Sequence, residues 1–284
     1  MEVIKTVLEL KSWVSEMKSC NKRISCVPTM GYLHEGHLSL IKRAKEIGDV
    51  VVTTIFVNPT QFAPTEDLDK YPKNILRDTK LAEESGADVL FLPEAGEMYP
   101  DGFSTSIELG GVTKLFEGEI RPTHFSGVAT VVAKLLLLTE ADSAVFGQKD
   151  YQQTLVVKKL VRELNIPCRI VVAPIVREKD GLAMSSRNVY LEKDDRNLAL
   201  GISKSLFRTK SLVESGEFHA KSIEQYFRTQ LLDAGITEID YATAVDAENL
   251  TTPEYFKKGD TVVLLVVARV GGVRLLDNAI LDIP

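Results

Sequence analysis

Cysteine is sparse: Cys20, Cys26 and Cys168 are the chain's only three. Odd in number and without metal-type spacing, they exclude a disulfide framework and a zinc ribbon, and they read as reduced thiols of a cytoplasmic protein. Long apolar runs are lacking too. The longest, residues 131–138 and 262–270, fall short of the ~20 residues a bilayer requires, and no basic-plus-apolar leader opens the sequence, so no membrane partner is expected. Basic charge is not in excess: 34 Lys and Arg against 40 Asp and Glu leave a net charge of −6, which argues against a general nucleic-acid binder. Two phosphate-binding patterns are absent. Without G-x-G-x-x-G there is no dinucleotide fingerprint, and without G-x-x-x-x-G-K-[ST] there is no P-loop. Neither repeats nor low-complexity tracts occur.

What is present is a strand-to-helix turn, Pro28-Thr29-Met30-Gly31-Tyr32-Leu33-His34-Glu35-Gly36-His37, holding two of the chain's four histidines. Residues 24–27 read as a buried strand before it. After it, Leu40, Ile41, Ala44 and Ile47 share a helical face. Such a turn aims backbone N–H groups and the positive end of a helix dipole at a ligand, which suits an anion. As a zinc site the pair is weak, because zinc takes three or four protein ligands. Standing alone it would be an ordinary polar loop; strand, helix and adjacent glycines make it a candidate site.

The rest alternates. Residues 5–19 predict an amphipathic helix, and 50–57 a β-branched strand of the kind buried on both faces of a parallel sheet. A helix from about Asn74, with Ile75, Thr79, Ala82 and Gly86 on one face, precedes strand 88–92. Residues 128–138 predict a buried helix, followed by strand 144–147, a helix to about Leu164 and strand 168–174. This rhythm predicts an α/β fold, a Rossmann-like doubly wound parallel sheet, with ligands beyond the carboxyl ends of its strands where strand order reverses. Past residue 176, helices 195–214 and 220–234 precede strands 239–245, 261–270 and 273–276, predicting a second, smaller α+β domain. The expected domains are therefore 1–175 and 176–284.

Lys149 follows a strand end, Ser185-Ser186-Arg187 offers two hydroxyls and a guanidinium on a loop, and Asn58 and Gln61 can hydrogen-bond a polar organic molecule. Each alone reads as surface or turn residues. Together with the histidine turn they form the parts of an adenylyl-transfer site, which must position an α-phosphate and neutralise departing pyrophosphate.

These segments, with Phe56 to Phe62, Tyr71-Pro72, Arg121-Pro122, His124-Phe125, Phe146-Gly147, Lys149-Asp150, Gln152-Gln153, Asp180-Gly181-Leu182, Asn188, Arg274-Leu275 and Asp277-Asn278, closely resemble the pantoate–β-alanine ligase (pantothenate synthetase) family over nearly the whole length. That family lies within the H-x-G-H nucleotidyltransferases, with Met184-Ser185-Ser186-Arg187 where their KMSKS-like loop stands. The resemblance implies condensation of (R)-pantoate with β-alanine, driven by ATP through a pantoyl adenylate, in a cytoplasmic homodimer using Mg²⁺. It implies His34, His37 and Lys149 as catalytic groups. ATP is expected on Met30, Gly31, His34, His37, Gly147, Gln148, Lys149, Asp150, Val176, Met184, Ser185, Ser186 and Arg187, with the second domain closing over it. Pantoate is expected on Gln61 and Gln153 with Asn58 nearby. Asp78 is the expected metal ligand, standing alone because its neighbour is Arg77, and Gln148 replaces a frequent Glu. Two rivals remain: a same-fold nucleotidyltransferase for a phosphorylated acceptor, disfavoured by the uncharged Asn58, Gln61 and Gln153, and a non-catalytic binding module, disfavoured by the intact His34, His37, Lys149 and Arg187.

Overall fold

Side chains branched at Cβ crowd residues 50–55, and they favour an extended backbone packed on both faces. In the computed structural model, which describes residues 1–63 and 68–284, this run is a strand inside a parallel sheet. The chain divides into two compact units, residues 1–148 with 152–174, and residues 149–151 with 175–284. Residues 149–151, expected in the first domain, thus group with the second.

The first unit runs β1 (Glu2–Ile4), α1 (Val7–Ser19), β2 (Ile24–Thr29), α2 (Glu35–Ile47), β3 (Val50–Ile55), α3 (Ile75–Glu84), β4 (Val89–Phe91), α4 (Ala95–Met98), α5 (Glu117–Ile120), α6 (His124–Thr139), β5 (Ser143–Gly147), α7 (Tyr151–Glu163) and β6 (Arg169–Ala173). The strand order is β1-β4-β3-β2-β5-β6, with every described pairing parallel. From β2 the chain winds outward through β3 and β4, then returns to lay β5 and β6 on the other side. Strand order therefore reverses between β2 and β5, and their carboxyl ends, Thr29 and Gly147, flank the crevice where such sheets take ligands.

Alternation along the strands builds two cores. Cys26 and Val52 pack with Leu10 and Val14 of α1, Val132 and Leu136 of α6 and Leu160 of α7. Their neighbours Val27 and Val51 turn the other way, against Leu38, Ile41 and Ala44 of α2 and Ala82 of α3. Two details depart from the sequence expectation. β1 was not foreseen; three residues carry no periodicity, and only pairing of Val3 with Leu90 makes them a strand. In α3 the buried face is Asp78 and Ala82 rather than Ile75 and Thr79, and Leu76 is exposed.

The second unit holds α8 (Lys193–Glu214), α9 (Ala220–Asp233) and an antiparallel sheet β7 (Glu238–Asp246), β8 (Thr261–Val270) and β9 (Val273–Asp282), in that order. Leu206 of α8 and Phe227 of α9 share a core with Leu264 and Val266 of β8. β9 outruns the expected end at Leu276, because Asp277 and Asn278 pair with Val266 and Leu265 and are buried within the strand. Among the described residues no helix is long and apolar enough to cross a membrane, and the three cysteines are free thiols.

Candidate functional site

Thr29 closes β2 by donating its hydroxyl to the Thr54 carbonyl at 2.7 Å and accepting from Gly31 N–H at 3.2 Å. The chain then takes two left-handed residues, Gly31 at φ +85° and Tyr32 at φ +50°. Gly31 has no substitute: a Cβ there would lie 2.9 Å from Ile55 Cγ2. The bend is fixed from outside by Asp78, which is fully buried in the first turn of α3. Its Oδ2 accepts Tyr32 N–H at 2.7 Å and its Oδ1 accepts Leu33 N–H at 2.8 Å. Asp78, the residue for which the resemblance implies a metal, thus clamps the histidine turn.

His34 is the N-cap of α2, and its Nδ1 accepts Gly36 N–H at 3.1 Å. His37 Nδ1 accepts His34 N–H at 3.4 Å. A nitrogen that accepts from a backbone N–H carries no proton, so both imidazoles are in the Nε2–H form. The rings lie 4.1 Å apart between centroids, giving a pair of neutral donors at the head of a helix.

Asn58, Gln61 and Met30 are brought together beside this turn. Asn58 is buried and gives Nδ2 to Gln61 Oε1 at 3.1 Å, while Gln61 Nε2 meets Met30 Sδ at 3.2 Å. Gly147 ends β5, and Gln148 is held by its N–H on the Ala173 carbonyl at 2.8 Å. Gln153 is half-buried in the first turn of α7. Its neighbour Gln152 is structural, bonded through its side chain to Val112, Leu115 and Glu117 backbone.

In the second unit, Asn278 Nδ2 donates to the Lys149 carbonyl at 2.9 Å, and Tyr151 donates its hydroxyl to the Ala247 carbonyl at 2.7 Å. These two bonds hold the short lysine segment. Lys149 is half-buried and makes no salt bridge among the described residues, while its charge acts on Asp277. Lys149, Ser185, Asn188 and Asp277 line one cavity. Asp150 is exposed and Val176, Met184 and Arg187 are half-buried. Met184 N–H bonds the Val176 carbonyl at 3.0 Å, closing a turn whose exit is Ser185. Ser185 caps a short 3₁₀ helix, accepting Arg187 N–H at 3.3 Å, with Ser186 buried inside it.

Arg177 braces that turn. It donates to the Gly181 carbonyl at 3.1 Å and to both oxygens of Asp277 at 2.6 and 2.8 Å. Burial pushes the Asp277 carboxyl up against the downward pull of Arg177. Arg177→Met removes that pull and strands a buried carboxylate, so the variant loses about 3–5 kcal/mol in urea unfolding at neutral pH. With its folded-state pKa raised further, Asp277 holds a proton more tightly folded than unfolded, and the loss shrinks as pH falls toward the carboxylate range. Arg177→Met with Asp277→Leu should recover most of it; an additive double loss contradicts the pairing.

The histidine turn, Lys149, the Ser-Ser-Arg loop and Gln61 stand in turns and at strand ends, as their sequence settings imply. The Asp78 clamp, the Asn278 support of Lys149 and the bracing pair of Arg177 and Asp277 carry no local sequence signal. Asp277-Asn278 was visible only as a matching dipeptide.

The profile of the Pantoate-beta-alanine ligase family matches residues 2–280. The chain is 47% identical over 283 residues to the pantothenate synthetase of Acetivibrio thermocellus, covering 100% of both. The crystal structure of pantothenate synthetase from Thermus thermophilus superposes with a TM-score of 0.92 at 41% identity, over 98% of this chain and 99% of that one. A pantoate–β-alanine ligase from Francisella tularensis, complexed with β,γ-ATP and β-alanine, gives a TM-score of 0.79 at 32% identity, over 98% and 97%. With a family profile over residues 2–280, an end-to-end relative at 47% identity and a matching fold, the chain belongs to the pantoate–β-alanine ligase family.

Proposed function

We propose that the protein condenses (R)-pantoate with β-alanine at the expense of ATP, giving pantothenate, AMP and pyrophosphate, as a cytoplasmic homodimer. The observation that carries this is a half-buried Lys149 ammonium that makes no salt bridge among the described residues, its electrostatic neighbour Asp277 being engaged by both nitrogens of Arg177, in a family member whose histidine pair heads a helix. A half-buried cation of that kind is completed by an anionic ligand.

In the first step a pantoate carboxylate oxygen attacks the α-phosphorus of ATP, the bond from that phosphorus to the bridging oxygen breaks, and pyrophosphate leaves. No base is needed, because the carboxylate is already ionised near neutral pH. The requirement is in-line positioning and charge neutralisation. His34 and His37 donate Nε2–H hydrogen bonds to phosphate oxygens, with His37 the one whose bond tightens as charge builds. Lys149 balances the α-phosphate and leaving group. Ser185, Ser186 and Arg187 hold the β- and γ-phosphates. Met30, Gly31, Gly147, Gln148, Asp150, Val176 and Met184 complete the nucleotide contacts. Gln61 and Gln153 hold pantoate. In the second step the β-alanine ammonium gives one proton to solvent, its nitrogen attacks the acyl carbon, the acyl–oxygen bond breaks with its electron pair leaving on AMP, and the nitrogen releases a second proton to solvent as the amide forms.

Mg²⁺ enters with ATP. No group of three or more His, Cys, Asp or Glu among the described residues is placed to hold a metal, and both oxygens of Asp78 are bonded to backbone N–H. The ATP phosphates carry the ion into the site.

The test is pyrophosphate release from Mg-ATP with pantoate present and β-alanine absent. A pantoate-dependent burst of about one equivalent per site supports the adenylate step. Folded protein that binds ATP and releases no pyrophosphate overturns it.

A further inference from the structure

Gln61 can face a ligand with either end of its amide, and which end it presents decides what it recognises. Here the choice is dictated by backbone groups two residues removed from it in the hydrogen-bond chain. The Asn58 side chain is 1% exposed. One of its terminal atoms lies 3.2 Å from the Gly127 carbonyl, which can only accept, so that atom is the amide nitrogen. The other terminal atom faces Thr60 N–H at 3.4 Å, the Thr60 hydroxyl at 3.0 Å and the Tyr99 hydroxyl at 2.7 Å, so it is the oxygen. With its polarity set at both ends, Asn58 has one N–H left, and that N–H points at Gln61. The Gln61 atom receiving it must be Oε1. Gln61 Nε2 is thereby turned to Met30 Sδ, a weak acceptor that a ligand oxygen outcompetes.

We propose that Asn58 and Tyr99 are positioning residues that lock Gln61 as a donor, so that the site selects a pantoate oxygen acceptor and rejects an N–H donor in its place. The proposal rests on the reading of Gln61 as a pantoate contact, and it revises the expected role of Asn58 from substrate contact to orienting group.

The surroundings are built to keep the arrangement. The Gln61 carbonyl is bonded to His124 Nδ1 at 3.0 Å and Arg121 Nη2 at 3.3 Å, which fixes its main chain. Gly127 lets α6 approach this loop; a Cβ there would lie 2.5 Å from the Thr60 carbonyl oxygen and 2.7 Å from Gln61 Cα. Tyr99 is wedged between Phe56 and Phe103, with ring centroids 6.0 and 5.1 Å away, and burial pushes its phenol up, keeping the O–H that Asn58 needs.

Equilibrium binding of pantoate and of its neutral amide, pantoamide, to the full chain separates the outcomes, with ATP binding as internal control. Tyr99→Phe deletes only the distal hydroxyl; it weakens pantoate about tenfold, the loss of one buried hydrogen bond, and leaves ATP within about twofold. Asn58→Asp supplies acceptors only, so Gln61 turns its Nε2 inward and its Oε1 outward. That variant weakens pantoate about a hundredfold and narrows, or reverses, the preference for pantoate over pantoamide. A merely structural role would weaken both ligands and ATP together. Unchanged pantoate affinity in Tyr99→Phe, or an unchanged pantoate-to-pantoamide ratio in folded Asn58→Asp, overturns the relay alone. Wild-type protein that binds ATP and no pantoate overturns the functional reading and the relay with it.

Discussion

Lys149→Ala folds normally and forms the acyl adenylate about two to three orders of magnitude more slowly. The reasoning starts from what the side chain does in the folded protein. Its ammonium makes no salt bridge among the described residues, and Asp277, which feels its charge, keeps both bonds to Arg177 when the lysine is truncated. What holds the segment is backbone and neighbour chemistry, the Asn278 bond to the Lys149 carbonyl and the Tyr151 bond to Ala247, and both survive the substitution. The loss therefore falls on the transition state, where charge spreads over the transferring and departing phosphates. Rapid-quench measurement of pyrophosphate formation with β-alanine absent reads this directly. Lys149→Arg keeps the charge on a longer, planar group and should recover only part of the rate. A normal burst in Lys149→Ala would remove the lysine from the chemistry.

Legibility from sequence followed the range of the interactions. The β-branched run at residues 50–55 announces a strand wherever it stands, and the histidine turn is local: strand, two glycines, cap and helix lie within one short stretch. Those could be read; that strand order reverses between β2 and β5 depends on which strands pair, and no local pattern carries it. Other parts of the site depend on partners far along the chain. Tyr99 reaches Asn58 across 41 positions, Lys149 meets Asn278 across 129 and Arg177 meets Asp277 across 100. No periodicity encodes such pairs. Asp277-Asn278 looked like the end of a strand because two polar residues interrupt an apolar pattern; they continue the strand because each has a partner to satisfy it. The partners of Asp78 were equally out of reach. A carboxylate on a helix is ordinarily a solvated face, and a resemblance implies a metal for it; its bonds to two backbone N–H groups 45 and 46 residues earlier give it a second role that no local pattern shows.

That difference yields the second large effect, in Asp78→Asn. Both bonds to Asp78 come from donors, Tyr32 N–H and Leu33 N–H, so the site requires two acceptors on one planar group. Asparagine supplies one. Its NH₂ faces the second N–H, and two donors meet in a fully buried place. Leaving a buried donor unsatisfied costs about 1–3 kcal/mol, and more when a charge-assisted bond is also lost. The bend it restrains includes Tyr32 at φ +50°, a conformation that costs a non-glycine residue about 1 kcal/mol or more and persists only where the surroundings impose it. Released, the turn relaxes and the histidines leave their places at the head of α2. The variant should lose about 2–4 kcal/mol in urea unfolding and also lower kcat, with both defects unchanged by added Mg²⁺. A metal-ligand role predicts the opposite pair of results: ordinary stability, and activity that returns as Mg²⁺ is raised. Because the two roles separate on stability and on magnesium rescue independently, one folded sample of Asp78→Asn, titrated with Mg²⁺ and then with urea, decides whether this carboxylate shapes the turn or holds the ion.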